Sequence, residues 1–192
     1  MRFSSLLLSL PLLAAAQVTL PSDAVEGLAI HLEDESGNIT YVHENQFEEY
    51  GIKLSLDETA ANNTDISSLR RRALPKGDKI TCESWKGFGI MDFRTNLVGV
   101  IDYLGCGYTI ITNPSSNYKY VAFSSYRGSN VIYICNYSGQ YRTLKGAQLL
   151  DFTEQVFNYC GQKASAGWYT DSYDNTAWGY TNSNQGFCGP KQ

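Results

Sequence analysis

Two carboxylates stand three residues apart among aromatic rings in the stretch GWYTDSYDNTAWG, where Asp171 and Asp174 are flanked by Trp168, Tyr169, Tyr173 and Trp178. Such a pair could serve a glycosidase, one acid donating a proton while its partner acts as base or nucleophile. The same residues also suit a hairpin, since Asp and Asn favour turns and alternating aromatics stabilise paired strands. No spacing rule puts the two carboxyls in one cleft, so the turn is the preferred reading. The rings support a different chemistry. Trp168, Tyr169, Tyr173, Trp178 and Tyr180, mixed with Asn, Thr and Ser, form a candidate binding surface that could hold a glycan by stacking and hydrogen bonding.

Histidine is scarce and badly placed for catalysis. His31 and His43 both lie in the first quarter of the chain. Residues 73–192 therefore lack the imidazole that Ser-His-Asp, Cys-His and histidine acid/base mechanisms need. Gly87-Phe88-Gly89 lacks the further glycines and lysine of a phosphate-cradling loop. The five cysteines (Cys82, Cys106, Cys135, Cys160, Cys188) are never closer than 24 residues, which is not zinc spacing. The expectation is a protein that is not an enzyme and uses neither cofactor nor metal, with its cysteines in disulfides. Five is odd, so at most two bridges form within the chain and one thiol is left over.

The next chemistry is proteolysis. Arg70-Arg71-Arg72 lies in a polar stretch and resembles a substrate of the kexin/furin class of secretory-pathway proteases, which cut after paired basic residues. Charge divides there. Residues 17–69 carry eleven acids against Lys53 alone, whereas residues 73–192 carry eight acids and ten bases, a balance of +2. That balance, even with Lys119, Arg127, Arg142, Lys145 and Lys163 grouped, is too small to indicate nucleic acid or a membrane surface.

The chain opens MRFSSLLLSLPLLAAAQ, the layout of a secretory signal peptide cut after Ala16. Its apolar run is too short to span a bilayer. The expected organisation is a signal peptide at 1–16, an acidic propeptide at 17–72 ending at Arg71-Arg72, and a mature domain at 73–192 confining the core-forming and cross-linking residues. Asn38, Asn62 and Asn136 head glycosylation sequons. The expected product is a secreted, extracellular glycoprotein with no stable membrane span, whose partners are a processing protease and a protein or glycan target.

The propeptide is not featureless. Short alternating apolar runs surround Ser36-Gly37-Asn38, so the segment forms either a hairpin, alone or against the mature domain, or a disordered acidic spacer. In the mature domain, DKITCES alternates as a strand. IMDFRTNLVGVIDYLGCG puts Phe93, Leu97, Val100, Ile101 and Leu104 on one helical stripe. YTIITNP reads as a strand, and YKYVAFSSYRGSNVIYICNYSG as two strands joined near Arg127-Gly128-Ser129-Asn130. GAQLLDFTEQVFNYCG puts Leu149, Phe152, Val156 and either Tyr159 or Cys160 on one face of a second helix. Two aromatic-rich strands around Asp174-Asn175 close the chain. This order predicts an α+β fold with two helices packed on one face of an antiparallel sheet in a split βαβ arrangement; an all-β sandwich is the alternative.

With Cys82 in the opening strand, Cys135 in a later one, FNYCG ending the second helix and Cys188 near the C-terminus, the chain resembles the small secreted α/β-sandwich proteins of fungi. These include the smut-fungus killer toxins and related effectors. The resemblance implies pairing Cys82 with Cys160 and Cys135 with Cys188, leaving Cys106 free or intermolecular; a Cys106–Cys188 pair stays open. It also implies a virulence or killer role, exerted by extracellular binding to a host or competitor target. A carbohydrate-binding module and a small carboxylate-dependent glycosidase are the alternatives.

Overall fold

A computed structural model describes residues 17–56, 78–84, 89–104, 108–111, 118–138, 143–161, 164, 166–172 and 175–189. The chain runs β1 (Gly27–Asp34), β2 (Ile39–His43), a 3-10 turn (Glu44–Gln46), β3 (Lys53–Leu56), β4 (Lys79–Glu83), α1 (Ile90–Leu104) and β5 (Tyr108–Ile111). It continues through β6 (Tyr118–Arg127), β7 (Asn130–Asn136), β8 (Thr143–Lys145), α2 (Gly146–Cys160), β9 (Ala166–Asp171) and β10 (Thr176–Asn182). Seven strands make one sheet in the order β2-β1-β6-β7-β10-β9-β4, every neighbouring pair antiparallel; β3, β5 and β8 form a second, small sheet.

Following those antiparallel steps, β4 and β6 point the same way with α1 between them in sequence, and so do β7 and β9 with α2 between them. Both crossovers leave at least one strand between the parallel partners, which is the split arrangement. YTIITNP does form a strand, but β5 lies in the small sheet.

The helices cover one face because their stripes are apolar. Phe93 and Val100 of α1, and Leu149 and Val156 of α2, are buried with Phe123, Ile132, Ile134, Tyr169, Trp178 and Tyr180 in one core. Leu97, Phe152 and Cys160 pack against it, whereas Tyr159 is 68% exposed, so Cys160 completes the second stripe. The side chains of Ile101 and Leu104 lie outside the described set. One polar residue sits within the α1 stripe. Asn96 is buried, donates through Nδ2 to the carbonyl of Ser125 (2.8 Å) and to Asn130 Oδ1 (3.0 Å), and accepts from Ser125 Oγ (2.6 Å). A buried amide satisfied in this way fixes the rotation of α1 against β6 and β7.

The acidic segment corrects the expectation of a core confined to residues 73–192. It takes the hairpin form against the cysteine-bearing body: β1 pairs with β2 on one side and with β6 on the other, and Leu28, Ile30, Leu32 and Val42 join the helix-side core. The physical reason lies in where its charges fall. Asp23 and Glu26 precede β1 while Asp34 and Glu35 lie at its far end, leaving Leu28-Ala29-Ile30-His31-Leu32 free to be buried. The opposite face carries a smaller core of Val18, Ala122, Val131, Tyr133, Cys135, Ala177 and Phe187. Val18 and Phe187 form a two-way backbone bridge (2.9 and 2.8 Å) that brings the start and end of the described chain together.

Candidate functional site

The β9–β10 hairpin holds the aromatic block, and strand parity sorts it. Trp178 pairs with Tyr169, and both side chains point to the helices with Tyr180; their exposures are 6%, 3% and 0%. Trp168 pairs with Gly179 and lies on the opposite face, partly buried against the smaller core. The described rings are thus divided between two faces, and Tyr169, Trp178 and Tyr180 are covered. Tyr169, Trp178 and Tyr180 pack in the helix-side core, where Phe152 stacks on Tyr169 at 4.7 Å and leans on Trp178 at 4.9 Å. Tyr173 and Asp174 lie outside the described residues. Asp171 ends β9, opposite Thr176.

Two disulfides are closed, Cys82–Cys160 and Cys135–Cys188, the same pairs the resemblance implies. The first ties β4 to the last residue of α2. Gly167 makes that approach possible, because a Cβ there would fall 2.7 Å from Val156 Cγ1 and 2.9 Å from Cys160 Sγ. The second ties β7 to the C-terminal segment beside Phe187. Cys106 lies outside the described residues.

Three carboxylates outside the aromatic block grip turns and strand ends. Asp92, in the first turn of α1, accepts from the backbone N–H (2.9 Å) and Oγ (2.6 Å) of Ser129, and these bonds, the hydroxyl's first, hold its carboxyl below the usual range. Glu26 of the acidic segment grips the same β6–β7 turn, its Oε1 accepting from the Gly128 N–H at 2.8 Å. Asp78 clasps β4 to β9. It accepts from Tyr169 OH, from Ser172 N–H (3.1 Å) and from Ser172 Oγ (2.9 Å). Partial burial would raise its pKa, but the hydrogen bonds outweigh that and lower it.

A serine and a histidine do meet, across the two regions. His31 Nε2 lies 2.8 Å from Ser124 Oγ, with Tyr41 and Phe187 edge-on to the imidazole at 5.5 and 5.4 Å. Both residues are fully buried and His31 Nδ1 has no partner, so the pair has neither an orienting acid nor an open path for substrate. Burial pushes the His31 pKa down to about 3, keeping the ring neutral. His43 serves the fold instead, with its Nδ1 lying 3.0 Å from Asn45 Oδ1 and capping the 3-10 turn.

Of the sequon residues, Asn38 is exposed at the β1–β2 turn, where its Nδ2 donates to Asp34 at 3.0 Å. Asn136 is buried at the end of β7, its Nδ2 donating to the Tyr120 carbonyl (3.0 Å) and its Oδ1 accepting from Ser138 Oγ (2.6 Å), so the fold takes up that amide. Asn62 lies outside the described residues, as do Ala16 and Arg70, Arg71 and Arg72. The flanks of the arginine cluster are described: β3 ends at Leu56, and Asp78 opens the next stretch.

The residues that sequence reading missed are Asn96, Asp78, Asp92 and Glu26. A polar residue on an otherwise apolar helical stripe was the available sign for Asn96; the carboxylates carried none. Among the described residues, no helix is long and apolar enough to cross a membrane and no group of three or more His, Cys, Asp or Glu is arranged to hold a metal. Compared with protein-family profiles, with curated proteins and with solved structures, the chain matches none.

Proposed function

We propose that this chain is a secreted protein, cut by a kexin-type protease after Arg72, that acts outside the cell by binding a host or competitor target in the manner of fungal effectors and killer toxins. The observation that carries the reading is the placement of the covalent cross-links. Both disulfides lie C-terminal to the arginine cluster, so severing the chain there leaves every staple in place. Disulfides belong to oxidising, extracellular settings. The polar clusters of the described residues support binding rather than turnover, because Asp78, Asp92 and Asn96 are each engaged by donors from their own chain. The sealed His31–Ser124 pair supports the same choice.

The test applies purified, cut protein to competitor and host cells. Growth inhibition or cell death, with neither glycan binding nor polysaccharide turnover, is the expected result. Glycan-array binding abolished by Trp168→Ala would replace this reading with a carbohydrate-binding module. Polysaccharide hydrolysis abolished by Asp174→Asn would replace it with a glycosidase.

A further inference from the structure

We propose that after the cut at Arg72 the acidic segment is not discarded: residues 17–56 stay seated on the cysteine-bearing body as a non-covalent second chain that supplies two strands of the main sheet. The proposal rests on the processing reading above and concerns what processing produces.

Backbone pairing argues first. β1 is an interior strand, matched to β6 from Gly27 opposite Tyr126 to Asp34 opposite Tyr118. Removing it would turn the ten-residue β6 into a long open edge, a liability that folded proteins avoid. Burial argues second. Leu28, Ile30, Leu32 and Val42 share a core with Phe93, Tyr120 and Phe123, so withdrawal would open the helix-side core along its length. The grip is also two-sided. Val18 reaches the opposite face and pairs with Phe187, next to the Cys135–Cys188 bridge, so the segment holds β6 from both faces. Polar contacts complete the fit: Glu26 on the Gly128 amide and His31 on Ser124.

None of these contacts lies between residues 56 and 78. A cut after Arg72 therefore breaks chain connectivity and none of the strand pairings of the described residues. The segment has no cysteine, so its retention depends entirely on pairing and burial. The processed molecule then carries an acidic edge, eight acids against Lys53 across residues 17–56, beside a body of balance +2. A target would meet that edge as part of the active form.

The full chain, digested with a kexin-type protease at neutral pH, is run on size exclusion with intact-mass detection. The two fragments are expected to co-elute in equimolar amounts at the volume of uncut protein, and to separate in concentrated guanidinium without reductant. Free elution of the acidic fragment under native conditions overturns the proposal. A second chain, with Arg70–Arg72 replaced by the site of an unrelated protease, separates the two readings: failure of the kexin digest then counts against processing alone, while seating is still measured. In the cut form, Ile30→Ala should speed dissociation of the acidic fragment at least about tenfold, and Val25→Ala, at a 60% exposed position, should leave the rate unchanged. Equal rates for the two variants would also overturn it.

Discussion

The two ends of the main sheet are held by different means. At one end, the edge strand β2, with only Val42 fully buried, is carried by β1, which is buried along five consecutive residues and paired on both sides; neither strand bears a disulfide. At the other, β4 has no fully buried residue and one sheet neighbour, and it is fastened by the Asp78 clasp and the Cys82–Cys160 bridge. Of these two regions, β4 joins weak burial to a cross-link, and β1 is deeply buried without one. A short strand with little apolar surface recovers too little hydrophobic free energy to offset its ordering. A bridge closing a loop of this length makes up the difference by restricting the unfolded chain.

The largest effect should come from breaking the unstapled end. Leu32→Ala removes a side chain of 0% exposure and should cost about 2–5 kcal/mol, read as a lowered denaturant midpoint. Ile80→Ala on β4, only partly buried, should cost about 1 kcal/mol or less. Equal costs would show that the two ends are not held differently. Next comes the staple. Replacing Cys82 and Cys160 together by alanine should cost roughly 2–4 kcal/mol. Its local signature is sharper: amide exchange should accelerate across Lys79–Glu83 while β1 keeps its protection. Loss of protection in both strands would mean that the bridge supports the sheet as a whole.

Acid should separate the ends again, because the buried imidazole belongs to the unstapled one. An unfolded chain protonates His31 near pH 6.5, whereas the folded chain resists until about pH 3. Between those values the unfolded state binds more protons, so stability is complete above about pH 6.5 and falls as pH falls, by up to roughly 1.4 kcal/mol per pH unit. The groups facing the ring do not cancel this. Ser124 and Phe187 do not titrate, and Tyr41, pushed up to about 12 by burial and then by Glu44, stays neutral throughout. Denaturant unfolding at pH 7 and pH 5 of the parent and of His31→Leu/Ser124→Ala measures it. The double variant removes both buried polar side chains and should lose less stability between the two pH values. A drop as large as the parent's would place the acid sensitivity elsewhere.

The same contrast explains what the sequence could tell. Elements whose apolar residues keep one period were legible: the α1 and α2 stripes and the β6–β7 strands meeting at Arg127–Asn130. The β1–β2 hairpin was legible as local structure, but its place in the core was hidden, because net charge over fifty residues says nothing of five that lie between the charges. Parity alone puts Tyr169, Trp178 and Tyr180 on one face of the closing hairpin. Which face the helices cover is decided by crossovers that no local pattern encodes, so these rings were read as a surface. The carboxylate grips at Asp78, Asp92 and Glu26 join residues 94, 37 and 102 positions apart, beyond any motif.

The finest comparison uses one turn that both regions hold. Gly128 has φ +56, and a Cβ there would lie 2.7 Å from Asp92 Oδ2, so the turn is shaped around that carboxylate. Asp92 Oδ2 accepts two charge-assisted hydrogen bonds, and the carboxylate favours the N-terminus of α1 by its sign; Asp92→Ala should cost about 1 kcal/mol. Glu26 supplies one hydrogen bond from an exposed position, so Glu26→Ala should move the unfolding midpoint barely measurably. In the cut protein the ranking should invert for retention. Glu26→Ala removes a contact between fragments and should speed release of the acidic chain, whereas Asp92→Ala removes one within the body and should leave release nearly unchanged. Dissociation rates that instead followed the stability ranking would mean that the turn is held as a single unit, with no seam between the acidic segment and the body.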